Sequence, residues 1–148
     1  MNKAIASVFG IGQIKGGGTI ASIATCIVLY LLWQPVPYHQ LYLLLATILI
    51  IVLGIYVSNK VEAEWGKDSY RVVIDEVAGM LVTMLFIPNN LYYLLAGLVL
   101  FRFFDIVKPL YIRRMEALPG GKGVMMDDIL AGIYANVLLQ IGLYLFGF

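Results

Sequence analysis

Charge is absent from four long stretches of this chain. Residues 16–39, 41–57, 77–101 and 129–148 contain no Asp, Glu, Lys or Arg, and the first of these runs holds an apolar core at 20–33. A helix needs about 20 apolar residues to cross the hydrocarbon core of a bilayer, so runs of this length direct the chain toward lipid. Composition agrees: 13% of the 148 residues are charged and 61% hydrophobic, where a soluble domain carries about 25% charged residues. The expectation is a single domain over residues 1–148, built as an all-α polytopic membrane helical bundle. Lys15 and three glycines stand where a signal peptide would need its small-residue cleavage site, so the N-terminus does not read as a cleavable leader.

The run at 77–101 is interrupted by Pro88-Asn89-Asn90. Proline removes a backbone donor, and asparagine favours turns. The pattern predicts a hairpin of two helices, one over about 72–87 and one from Leu91 to about Lys108, ahead of Pro109. About five transmembrane helices result, with an N-terminal segment on the surface or re-entrant. Loops then alternate sides. One side carries residues 1–18, 58–71 and 109–126; the other has 34–40, 88–90 and the C-terminus. All ten Lys/Arg and all nine Asp/Glu fall on the first side or on helix ends facing it. The positive-inside rule makes that side cytoplasmic. A four-helix alternative would place Asp75-Glu76 and Asp127-Asp128 on opposite faces of the membrane.

Three acidic clusters abut the apolar helices: Asp75-Glu76, Asp105 and Asp127-Asp128. A charge within the membrane costs at least about 2.5 kcal/mol, and five carboxylates near one depth repel one another. A divalent cation relieves both problems, and hard oxygen ligands suit Mg2+. Carboxylates are also favoured at helix N-termini, which accounts for part of the pattern but not for Asp105, placed toward a helix C-terminus. Arg102, Asp105 and Lys108 recur every third residue as one stripe, able to neutralise Asp105 and grip a phosphate or simply to snorkel. Two glycine-rich stretches face the same side, Lys15-Gly16-Gly17-Gly18-Thr19 and Gly120-Gly121-Lys122-Gly123. They could let backbone N–H groups approach an anion or serve as flexible loops. Asp75 to Gly79 and Asp128 to Gly132 both read Asp-x-x-Ala-Gly, which puts each aspartate one turn from a glycine at a close helix seam.

Other polar residues read as structural. Asn136 and Gln140, four apart, would join helices. Trp33, Tyr38, Tyr92 and Tyr93 suit an interfacial belt. Cys26 lies in an apolar helix, and His39 falls on the side opposite the acids. A net charge of +1 gives no basis for nucleic-acid binding.

Four segments, in order, resemble the phosphatidylglycerophosphatase A family: Gly18-Thr19-Ile20-Ala21-Ser22, residues 73–80 around Asp75-Glu76, residues 101–109 around Arg102 and Asp105, and residues 120–132 around Asp127-Asp128. The resemblance implies a Mg2+-dependent enzyme of the bacterial cell (inner) membrane, its active site facing the cytoplasm. It would hydrolyse phosphatidylglycerophosphate to phosphatidylglycerol and phosphate in phospholipid biosynthesis. Carried over by motif, Asp75, Glu76, Asp105, Asp127 and Asp128 are candidates for metal ligation and catalysis. Arg102 and Lys108, with Lys15 and Thr19, are candidates for phosphate binding. Hydrolysis is expected to be direct, because no cysteine or histidine nucleophile lies on the charged side. Cysteine-phosphatase, haloacid-dehalogenase and histidine-phosphatase motifs are absent. A small non-enzymatic membrane subunit or a transporter is the alternative, although transporters place their binding groups near the midplane. Oligomeric state is not encoded in any feature of the sequence.

Overall fold

A computed structural model of the chain describes residues 1–32, 39–88 and 90–146. Trp33 and Tyr38 of the expected belt, most of the 34–40 connection, Asn89 and the last two residues lie outside this set. The described residues form α1 (Asn2–Ala6), a short 3-10 turn (Ile11–Gln13), α2 (Gly17–Leu32), α3 (His39–Trp65), α4 (Ile74–Thr83), α5 (Leu91–Val107), α6 (Ile112–Met115) and α7 (Gly121–Phe146), with no strand. The regular structure of the described residues is all-helical, as the long uncharged runs predict.

Two of these helices, α3 with 27 residues and α7 with 26, are long and apolar enough to cross a membrane. α3 absorbs the uncharged run at 41–57 and continues through Lys60, Glu62 and Glu64 to Trp65. Helices α2 and α5 have 16 and 17 residues, just below the usual spanning length. The surface inverts that of a soluble protein. Leu45, Leu49 and Val52 on α3, and Ile133, Val137 and Ile141 on α7, form outward apolar stripes at helical spacing. Buried Thr25, Thr47 and Thr83 donate their hydroxyls back to the carbonyls of Ala21, Leu43 and Gly79 at 2.7–2.9 Å, which leaves no hydroxyl stranded among apolar neighbours.

α4 is the hub, packed against α2, α3, α5 and α7 and buried at eight of its ten positions. The sequence predicts a helix over about 72–87, but regular structure stops at Thr83, and Phe86 takes a left-handed φ of 60°. Pro88 disfavours helical backbone at the residue before it. The carbonyls freed by this early stop are taken up by side chains from other helices. Asn136 Nδ2 donates to Thr83 O at 2.9 Å and to Leu85 O at 2.7 Å, Gln140 Nε2 to Phe86 O at 3.3 Å, and Gln40 Nε2 to Ile87 O at 3.2 Å. Irregular backbone at membrane depth is stable only when its polar groups are satisfied inside the protein. The expected structural role of Asn136 and Gln140 is thus observed. Tyr92 is 81% exposed, but Tyr93, expected beside it at the interface, is 8% exposed and belongs to the core, because consecutive helical residues point about 100° apart.

The repeated Asp-x-x-Ala-Gly segments meet at the α4–α7 crossing. A Cβ on Gly132 would strike the Gly79 carbonyl, and one on Gly79 would lie 2.8 Å from the Asp128 carbonyl and run into the Phe101 ring. The two glycines allow backbone-to-backbone approach, and this brings the aspartate one turn before each into a common space.

Candidate active site

Asp75 and Glu76 occupy the first turn of α4, where a helix N-terminus favours negative charge. Asp105 sits in the last turn of α5. Asp127 and Asp128 lie on the second turn of α7 rather than at its start, because α7 begins at Gly121. Gly120-Gly121-Lys122-Gly123 is therefore helix start, not an open loop, and it is absent from the walls of the acidic cavity. Gly121 packs against Ile55 and Asn59 of α3, and its N–H donates to Asn59 Oδ1 at 2.6 Å. Close packing explains these glycines without a phosphate.

All five acids, with Arg102, Lys108, Lys15 and Thr19, border one cavity of about 500 Å3. The loop at 13–18 and the start of α2 form one wall; Asp68, Ser69 and Tyr70 form another. Gly18 is needed for this enclosure, since a Cβ there would collide with the Glu76 carboxylate. Asp127 and Asp128 are only 4% and 3% exposed, so their charges require partners inside the protein.

The pairing is incomplete in an informative way. Arg102 Nη1 binds Asp105 Oδ2 and stands 3.9 Å from Glu76 Oε1. Lys108 Nζ donates to Asp127 Oδ2 at 2.7 Å and also binds Glu116. Lys108 is the residue that ends α5, with a left-handed φ of 49°. That position normally favours glycine; here it carries the ammonium between two carboxylates. Burial works against the charged lysine, but its hydrogen bonds to Asp127 and Glu116 prevail and raise its pKa above that of an ordinary lysine.

With Asp105 held by Arg102 and Asp127 by Lys108, Glu76 has only the outer reach of Arg102, at 3.9 Å, and Asp75 and Asp128 have no ion pair among the described residues. These three each offer an oxygen within 4.8 Å of the others. Asp75 Oδ1, Glu76 Oε2, Asp127 Oδ1 and Asp128 Oδ2 are buried without a hydrogen-bond partner. Clustered, unpartnered carboxylate oxygens fit a hard divalent cation. Several wall residues were not singled out from the sequence: Gln13, Asp68, Ser69 and Tyr70 in the cavity, and Glu116 behind Lys108. They lie in connecting segments with no helical period to place them. His39 begins α3, about 39 Å of helix from Trp65 at the charged end.

The family model of phosphatidylglycerophosphatase A matches residues 4–143. A Bacteroides thetaiotaomicron protein, provisionally named a phosphatidylinositol-3-phosphatase, is 39% identical over 135 residues, covering 88% of this chain and 85% of its own length. Proteins named phosphatidylglycerophosphatase A from Escherichia coli (37% over 130 residues, 84% of this chain and 73% of theirs) and Haemophilus influenzae (41% over 99 residues, 65% and 61%) are also similar. No solved structure matches the chain. A match spanning nearly the whole chain, through every segment that builds the acidic cavity, makes this protein a phosphatase and a member of the phosphatidylglycerophosphatase A family.

Proposed function

We propose that the protein is a Mg2+-dependent phosphatase of the bacterial cell membrane, multi-pass, with its cavity facing the cytoplasm, converting phosphatidylglycerophosphate to phosphatidylglycerol and phosphate. One observation carries the reading: three clustered carboxylates, Asp75 and Asp128 buried without an ion pair and Glu76 half-buried at the edge of Arg102, share a single cavity with an arginine and a lysine. Asp75, Glu76 and Asp128 would hold the cation. Bound there, Mg2+ supplies Lewis-acid polarisation of the phosphoryl group and a lower pKa for an attacking water. Arg102 and Lys108 offset charge on the phosphoryl oxygens. Asp105 and Asp127 orient those two cations through the ion pairs described above. The free Oδ1 of Asp127 can accept a proton from water without giving up its bond to Lys108. Lys15 and Thr19, on the cavity wall, are positioned to meet the distal part of the headgroup.

The name of the Bacteroides relative favours a second reading, a 3-phosphorylated inositol lipid. Both substrates present a phosphomonoester on a lipid headgroup, so one experiment separates them. Purified protein in detergent is supplied with each lipid, and phosphate release is followed in EDTA and after Mg2+ is restored. The proposal expects release from phosphatidylglycerophosphate, abolished by EDTA and recovered with Mg2+. Preference for the inositol lipid would transfer the substrate assignment, and full activity in EDTA would refute the metal site.

A further inference from the structure

One of the apolar hollows lies between α2 and α5, two helices that also wall the acidic cavity. It is a slot of about 190 Å3. On α2 its wall includes Ile23, Ile27 and Leu31. These are four apart, and the same stripe continued one turn toward the N-terminus reaches Thr19 in the wall of the acidic cavity. On α5 the wall includes Leu91, Leu95 and Leu98. That stripe continues one turn on to Arg102 and then Asp105. Residues three or four apart share a helix face, so each helix presents one unbroken face that is apolar in the slot and polar at the site.

Continuity with the site selects the occupant. The walls of the hollow are apolar and aromatic side chains, and both faces run on into the cavity that holds the headgroup. Its occupant is therefore an apolar group attached to a phosphorylated headgroup, which in a lipid phosphomonoester is an acyl chain. We propose that the slot between α2 and α5 receives one acyl chain of the lipid substrate, and that the lipid enters sideways from the bilayer between these helices. The assignment rests on the lipid phosphomonoester reading above and deepens it. With the chain beside Leu95 and Leu98, the headgroup lies one turn higher, at the level of Arg102. Lipid length then matters to binding, while the chemistry is confined to the cavity.

Cys26, the chain's single cysteine, lines the slot and serves as its reporter. The test compares long-chain (oleoyl) and short-chain (hexanoyl) phosphatidylglycerophosphate in detergent micelles. Leu95→Trp and Ile27→Trp fill the slot without touching the acids. Each should raise KM for the oleoyl lipid by about tenfold, leaving its kcat and both constants for the hexanoyl lipid within about twofold. Independently, in the unaltered protein, a non-hydrolysable phosphonate analogue of the oleoyl substrate should slow alkylation of Cys26 by a lipid-soluble maleimide at least about threefold. A phosphocholine lipid with the same chains should not. Equal effects of the tryptophans on both chain lengths, no effect on either, or equal protection by phosphocholine would overturn the acyl-chain assignment while leaving the activity standing. Failure of the unaltered protein to hydrolyse either lipid would overturn both readings.

Discussion

Asp75 and Asp128 are buried within reach of each other and of Glu76, and neither has a nearby cation. Asp75→Asn and Asp128→Asn keep the side-chain shape and remove the charge. Each should cost at least about a hundredfold in kcat and raise the Mg2+ concentration needed for half activity, with the protein still recovered in the membrane fraction. Retention of full turnover by either variant would remove it from the site. The inventory of nucleophiles also predicts stereochemistry. Cys26 lines the apolar slot and His39 begins the far end of α3, so water should attack phosphorus directly. A chiral thiophosphoryl substrate should be hydrolysed with inversion; retention would mean two displacements and an aspartyl-phosphate. Lys108 provides a pH test. Its native pKa stands above the unfolded value, so the protonated form stabilises the fold fully below the ordinary lysine pKa of about 10.4, and that contribution is lost only as pH rises through the higher native value. The Tm deficit of Lys108→Met should therefore be the same at about pH 7 and about pH 9. A deficit that shrinks between them would show that the ion pairs do not hold the proton.

At the scale of elements, the crossing of α4 and α7 sets the site. Gly132→Ala places a methyl against the Gly79 carbonyl, and the helices must separate. The expected cost is about 1–3 kcal/mol of stability, with activity falling further because Asp128 moves away from Asp75. Gly142, on the same helix, has nothing within 4 Å of a Cβ, so Gly142→Ala should leave turnover unchanged and hold or slightly raise Tm, as the better helix former. Equal behaviour of the two variants would mean that helix propensity, not close approach, governs α7. The capped end of α4 makes a parallel case: Asn136→Leu leaves the Thr83 and Leu85 carbonyls without donors and should destabilise by about 0.6–1.7 kcal/mol.

For the molecule as a whole, the one-sided distribution of charge predicts orientation. In a Cys26→Ala background, a cysteine at Asn90 should react with a membrane-impermeant thiol reagent in intact cells, and one at Lys67 or Lys122 should not. Labelling at Lys122 but not Asn90 would support four spans and place Asp75 and Asp128 on opposite faces. That outcome contradicts their shared cavity, so the topology and the site stand or fall together.

The helical class and the acids of the cavity were legible in the sequence because each depends on local or additive physics. Uncharged runs of spanning length mark helices for lipid whatever they pack against, and a carboxylate at the edge of such a run is costly wherever the helix goes. Even the seam was visible, since Asp-x-x-Ala-Gly fixes an aspartate and a glycine on one helix face before any partner is known. Other features depend on distances between residues far apart in the chain. The early end of α4 is stable only because Gln40, Asn136 and Gln140 arrive from two other helices to take its carbonyls. The start of α7 at Gly121 depends on the approach of α3. Which of five similar acids are held by a close ion pair (Asp105 and Asp127), which stands at the edge of one (Glu76) and which have none (Asp75 and Asp128) was settled by which came to rest beside Arg102 and Lys108. In sequence they are alike; only burial in a shared cavity, where the partner of each charge decides its energy, sets them apart.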